Sequence, residues 1–269
     1  MSPGRRGSWL ALALALLGAA AACRPGPVKA PDTTPLPTPE AVLAELRAKA
    51  GERRSLRTMG RVTYFGKKGR VRLKAVLLAQ RPGAFRVETL SPLEQPVDVM
   101  ASDGARLWLL SQDRLRVGAA SPENIARLLP LAMGPEAVVD TLLGGVPGPD
   151  RVRAEGLERA EDGAWRLTVV NEYGERVVLR VNPVARRVEG MELLDEGGEV
   201  RVRVGFDDFE ALPQGGELPR SLEVRLMPDG GEVSIRLQSP EVDVALEGGL
   251  FRIDAPPGIT PESLDEGPD

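Results

Sequence analysis

From Arg70 to Leu78 the chain reads RVRLKAVLL, with Val71, Leu73, Ala75 and Leu77 on one side of a two-residue repeat and Arg70, Arg72 and Lys74 on the other. An extended chain sends successive side chains to opposite faces, so this pattern predicts a strand with one covered and one wetted face. The same alternation returns through Val177, Leu179 and Val181, then through Val200, Val202, Val204 and Phe206. Leu222, Val224 and Leu226 repeat it, followed by Val233, Ile235 and Leu237. Turn-forming runs separate these stretches: GKKG at 66–69, EYGE at 172–175, DEGG at 195–198 and PDGG at 228–231. About a dozen short strands in consecutive hairpins are expected, forming an antiparallel sheet with one face in need of cover.

Helical periodicity supplies that cover. In TPEAVLAELRAKAGERR (38–54), Thr38 is placed to cap, Pro39 suits the first position, and Val42, Leu43 and Leu46 form an apolar stripe. The strand run breaks once more, at residues 121–148. Ser121, Pro122 and Glu123 open one segment, whose stripe is Ile125, Leu128 and Leu129. A second begins near Pro135, carries Val138, Val139, Leu142 and Leu143, and stops at Gly144–Gly145. The fold class expected is therefore mainly β: a strongly curved antiparallel sheet, an unclosed β-barrel, with an N-terminal helix and a central helical pair as a lid on its concave side.

The amino end has a different grammar. Arg5 and Arg6 precede the short apolar run Trp9–Leu17, and small residues then lead directly into Cys23, the single cysteine of the chain. The run is short for a hydrocarbon core of ~30 Å and reads as a cleavable signal peptide. One cysteine excludes an internal disulfide, and a chain without histidine offers no His-ligated metal site. Three readings of the thiol remain: a modified residue, an intermolecular bridge, or a free thiol behind an ordinary Ala-x-Ala cleavage site. The small-residue run ending on cysteine resembles the bacterial lipobox, with Ala20 where Leu, Val or Ile is usual. That resemblance implies cleavage before Cys23 and covalent diacylglycerol and N-acyl (palmitate-type) chains on it, an anchor strengthened by about 0.8 kcal/mol per buried CH₂. The proline-rich RPGPVKAPDTTPLPTP that follows cannot pack and would span up to roughly 50 Å as polyproline II. The expected division is a signal peptide at 1–22, an acylated cysteine and tether at 23–37, one domain at 38–258, and an acidic flexible tail at 259–269.

Charge narrows the function classes. The full chain carries a net charge of −4. Its arginines and acids alternate rather than cluster, which is a solvated-surface pattern and argues against nucleic-acid binding. The absence of histidine removes Ser–His and Cys–His nucleophiles. The carboxylates of FDDFE (206–210) and LLDEGGE (193–199) read as a strand end and a hairpin turn, and GKKG lacks the spacing of a phosphate-binding loop. No catalytic residue, metal or non-covalent cofactor is expected.

Over residues 60–148 the order of parts resembles the LolA/LolB family of bacterial lipoprotein carriers and receptors, closest to the LolB type. GRVTYF opens the first hairpin, RVRLKAVLLAQ gives the long strand, and FRVETLSPLEQPVDVMASDG and LLPLAMGPEAVVDTLLGGVPG follow. LolB-type proteins carry an Asn/Ser-Pro-Leu-Gly turn, matched here by SPLE (91–94), and a later Pro-Leu … Leu-x-Gly-x-Pro-Gly segment, matched by 129–148. ELPRSLEVRL and FRIDAPPG resemble the closing elements of the superfamily. The chain departs from the pattern in three ways: Glu94 replaces the turn glycine, aromatic residues are 4% of the chain, and the carboxy-terminal half is longer.

The resemblance implies an apolar cavity that receives acyl chains, with Leu73, Leu77, Phe85, Val87, Val99, Ile125, Leu129, Val139 and Leu142 as wall and lid. Read from periodicity alone, the same residues equally form a plain core. It also implies that Pro92 and Leu93 form a protruding membrane-insertion loop; turn chemistry alone leaves Leu93 free either to stand out or to fold over the sheet edge. A protein of this kind would sit in the outer membrane through its anchor, face the periplasm as a monomer, and take acylated lipoproteins from a LolA-like periplasmic carrier. The competing expectation is an accessory envelope lipoprotein that uses the same fold to dock proteins without moving lipid.

Overall fold

Thr38 caps the first helix of the folded body, α1 (Pro39–Gly51), its Oγ1 accepting from the Ala41 N–H at 3.2 Å. Pro39 fills a position where no N–H is needed, and Val42, Leu43, Leu46 and Ala50 are all buried along one side. The computed structural model describes residues 34–66, 69–128, 133–171, 174–213, 215–228 and 230–265. Cys23, the segment before it and Leu129 lie outside these. Residues from Leu36 onward form one compact unit.

After α1 the chain makes six strands: β1 (Ser55–Gly66), β2 (Gly69–Gln80), β3 (Ala84–Leu90), β4 (Pro96–Asp103), β5 (Arg106–Ser111) and β6 (Arg114–Ala119). The break predicted at 121–148 is helical, as α2 (Pro122–Leu128) and α3 (Pro135–Leu142). Ser121 caps α2 through its Oγ, which accepts from the Asn124 N–H at 3.2 Å. Seven further strands follow: β7 (Val152–Arg159), β8 (Trp165–Asn171), β9 (Arg176–Asn182), β10 (Arg187–Leu194), β11 (Val200–Ala211), β12 (Glu217–Leu226) and β13 (Glu232–Val242). A short β14 (Glu262–Ser263) ends the series.

All fourteen strands among the described residues belong to one sheet, in the order β14-β6-β5-β4-β3-β2-β1-β13-β12-β11-β10-β9-β8-β7. The two halves are meanders joined where β1 pairs with β13 over nine residue pairs, from Leu56 opposite Val242 to Phe65 opposite Glu232. The edges β7 and β14 do not pair with each other, so the sheet is not closed. The predicted turns 66–69, 172–175, 195–198 and 228–231 all lie in strand-to-strand connections. Strict alternation places the β1–β2, β3–β4, β5–β6, β8–β9, β10–β11 and β12–β13 hairpins at one end, here the upper end. The intervening turns fall at the lower end.

The inner face carries the main core. Leu77, Phe85, Met100 and Leu109 of the first meander meet Val138, Val139 and Leu142 of α3, while α1 packs on β7 and β8. The core continues through Leu167, Leu179, Met191, Val204 and Leu222 in the second meander.

Two expectations are corrected. Val99 does not share a face with Leu77 and Phe85. In the register of β3 and β4, Val87 is opposite Met100, so Met100 points inward and Val99, opposite Glu88, points outward. A strap covers that outer face: the 3-10 turn Gly248–Phe251 packs on β3 and β4, with Phe251 buried and the Arg86 Nη1 donating to the Leu250 carbonyl at 3.0 Å. The second correction concerns the tail. Folded structure continues beyond residue 258 because Glu262 and Ser263 pair in parallel with β6, and Leu264 is buried in the core. Asp265 then accepts from the Asn124 Nδ2 at 2.6 Å and the Ala119 N–H at 3.0 Å, completing the start of α2.

Candidate functional site

The loop between β3 and β4 projects Leu93 from the upper end with 82% of its surface exposed. Ser91 builds the loop. Its carbonyl accepts the Glu94 N–H at 2.9 Å, its own N–H reaches the Gln95 carbonyl at 2.8 Å, and its Oγ accepts from Leu93 and Gln95 N–H groups at 3.3 and 3.2 Å. The backbone under Leu93 is thus held on both sides while its side chain meets only solvent. Glu94 has φ of 60°, the left-handed region in which a glycine is least strained. Its carboxylate accepts from the Lys74 Nζ at 2.7 Å, so the charge beside Leu93 is directed back onto β2.

The inner face and its helices form the second part of the site. Of the residues expected to line a cavity, Leu77, Phe85, Ile125, Val139 and Leu142 are brought together and fully packed in the core. Leu73 and Val87 lie at its margin, partly buried. Val99 is on the opposite face, and Leu129 is outside the described residues. The described hollows lie elsewhere. One of about 500 Å³ opens at the lower end, with a mixed lining in which the charged Lys49, Arg53, Arg187 and Glu217 stand beside Leu46, Val146, Val188 and Phe209. Another, of about 510 Å³, runs along the outer face beside Pro92.

A polar knot that the sequence reading did not single out fixes α3 to the sheet. Asp140, 1% exposed, pairs with the Arg81 guanidinium at the β2–β3 turn. Its other oxygen accepts the Gly148 N–H at 2.7 Å, beyond the end of the helix. Arg81 Nε also donates to the Arg53 carbonyl at 2.9 Å, and Arg53 in turn donates to the carbonyls of Leu143 and Glu217, both at 2.9 Å. Burial pushes the Asp140 carboxyl up to about 6, against the opposing pull of Arg81 and the Gly148 N–H. Among isolated sequence signals, only an aspartate inside the apolar run Val138–Leu143 points to this knot.

A wide, open antiparallel sheet with helices on its inner face defines the class of fold. Solved structures that share it include the following three. A DUF1329 family protein from Desulfovibrio piger superposes with TM-score 0.60 at 12% identity, covering 80% of this chain and 98% of that one. A LolA superfamily protein from Nitrosomonas europaea gives 0.59 at 13% identity, with coverage of 81% and 99%. A putative outer membrane lipoprotein-sorting protein domain from Vibrio parahaemolyticus gives 0.58 at 13% identity, covering 78% and 94%. No family model matches the sequence, and no curated protein does either. The chain therefore shares its fold with these structures, a LolA superfamily protein among them.

Proposed function

We propose that this chain is a lipid-anchored protein of the bacterial envelope, not an enzyme, that receives the acyl chains of lipoproteins from a periplasmic carrier and passes them to the outer membrane. The observation that carries the reading is Leu93: a large apolar side chain held in water by a locked turn, on a fold shared with a lipoprotein-sorting domain. Cys23 would hold the protein on the membrane through its diacylglycerol and N-acyl groups, with the proline-rich tether as spacer.

The inner face sets the mechanism. Core side chains of α2 and α3 now occupy the place an acyl chain would take, so cargo enters by displacing this helical pair. The chain would then cover Leu73, Leu77, Phe85 and Val87 in place of Ile125, Val139 and Leu142. Exchanging one apolar cover for another leaves a small net free energy, as transfer between a carrier and a membrane requires.

Native mass spectrometry on residues 24–269, purified without detergent and offered a diacylated lipopeptide, tests this reading. A bound lipopeptide, lost in Leu142→Lys with the sheet's circular dichroism retained, is the expected result. Leu93→Glu should bind lipopeptide normally, change stability by less than about 0.5 kcal/mol, and fail to deliver lipoprotein to outer membranes. The closed packing of the inner face favours one other reading, a protein-docking module. A folded chain that takes up no lipopeptide, and a Leu93→Glu strain with normal lipoprotein sorting, would establish it.

A further inference from the structure

Charges do not alternate everywhere along this chain. Between Glu52 and Glu88, residues 53–87 hold eleven arginines and lysines and no acid, in a protein whose net charge is −4. The β1–β2 hairpin sits inside this stretch, and strand register gathers its cations on the outer face. Arg61 lies opposite Lys74 on β2 and opposite Arg236 on β13, so three cations stand side by side across three strands. One step toward the tip, Arg72 is opposite Thr63, and Arg70 is opposite Phe65 with its guanidinium 4.9 Å from the ring centre.

Like charges directly opposite one another destabilise a sheet. The flanking members of the row have counter-ions: Lys74 donates to Glu94 at 2.7 Å, and Arg236 to Asp208 at 3.0 Å. Glu232, next to Phe65 on β13, is taken by Arg225 at 2.9 Å. Arg61, Arg70 and Arg72 have no carboxylate partner among the described residues. They line the 510 Å³ outer groove with Thr63 and Lys74, and Leu90, Ser91 and Pro92 form its far wall. The groove thus runs to the foot of the Leu93 loop.

Apolar exposure is concentrated at the same place. Of the eight exposed large hydrophobic residues among those described, Tyr64, Phe65, Val71, Leu93, Val97 and Met227 are at or beside the β1–β2, β3–β4 and β12–β13 hairpins of the upper end. Unpaired guanidiniums beside a rim of apolar tips match the boundary of a membrane, where phosphates lie just above acyl chains. A nucleic acid has no use for the apolar tips, and a soluble phosphate none for their clustering. The acidic β10–β11 turn, with Asp195, Glu196 and Glu199, is at the same end but four strands from β1, which leaves the β1–β4 side as the approach.

We propose that the outer groove lined by Arg61, Arg70 and Arg72 binds the phosphates of anionic lipid headgroups and seats the upper end on a membrane with Leu93 pointing into it. This deepens the membrane-delivery reading and rests on it for the role of Leu93, but needs no acyl chain on the inner face. The test uses residues 24–269 without the acyl anchor, and vesicles free of lipopeptide, so that failure of acyl uptake does not affect it. Co-sedimentation with vesicles of phosphatidylcholine mixed with an equal amount of phosphatidylglycerol should exceed that with phosphatidylcholine alone, and should fall with added salt. Arg61→Gln combined with Arg72→Gln should lower partitioning to the anionic vesicles by about tenfold or more. Relieving the row of like charges, the same pair should leave the melting temperature unchanged or raised, which separates lost binding from lost folding. Arg166→Gln with Arg203→Gln, two arginines paired with Glu192 on the other half of the sheet, should bind as the parent does. Equal binding to neutral vesicles, or undiminished binding by the Arg61/Arg72 variant, would overturn the proposal. So would binding of glycerol phosphate with no preference for anionic vesicles.

Discussion

Glu94 is strained for a reason that the turn makes visible. A Cβ at φ of 60° costs about 1 kcal/mol relative to glycine, and the solvent-exposed ion pair with Lys74 does little to offset it. Glu94→Gly should therefore be neutral or stabilising by up to about 1 kcal/mol in urea unfolding, whereas Glu94→Ala, which keeps the Cβ and loses the ion pair, should be neutral or worse. Asp140 carries a different signature. Its carboxyl titrates at about 6 in the folded chain and near 3.8 when unfolded, so the native state holds the extra proton between those values. The stability this provides is complete below about pH 4 and lost as pH rises through about 6, a change of order 3 kcal/mol. Asp140→Asn should flatten the melting temperature across that window. The sequence marks Glu94 only as an acid in place of a turn glycine and Asp140 only as an acid in an apolar run: the strain of the first is a matter of φ, and the shift of the second one of burial.

Elements were legible where they follow a simple period. The two-residue alternation locates β2, β9, β11, β12 and β13, and capping residues locate α1, α2 and α3 within a few positions. Face assignment was harder. Val99 belongs to VDVMAS, where apolar residues occupy both parities, and only the pairing of Val87 with Met100 decides which parity is inside. The acids of the carboxy-terminal tail suggest solvation, while its buried apolar anchor is Leu264. Gly118 is the sequence counterpart of that anchor: a Cβ there would lie 2.7 Å from both the Leu264 Cβ and an Asp265 oxygen. Leu264→Ala should cost about 2–3 kcal/mol and speed hydrogen exchange at the start of α2, where Asn124 depends on Asp265.

At the scale of the whole molecule, the pairing of β1 with β13 joins strands about 170 residues apart and turns two meanders into one sheet. Hairpin turns are written locally, but this pairing is not, and nothing in the spacing of turns distinguishes it from two separate sheets. Its physical mark is kinetic. Long-range strand pairing closes slowly, so refolding by stopped-flow fluorescence should fall in the range of milliseconds to seconds. The candidate site divides in the same way. Leu93 was legible as turn chemistry, whereas the row Lys74–Arg61–Arg236 exists only through the register of three strands.

Strict alternation of hairpins also separates the molecule into two addresses. Leu93 and the basic groove belong to the upper end, while the β9–β10 turn, with Val184 91% exposed, belongs to the lower. With Cys23 as the single natural thiol, a chain lacking it accepts one dye at either address, through Leu93→Cys or Val184→Cys. An environment-sensitive dye on the first should turn apolar as the protein settles on vesicles, while the second continues to report water. The pair of signals reads the orientation of the molecule on its membrane directly.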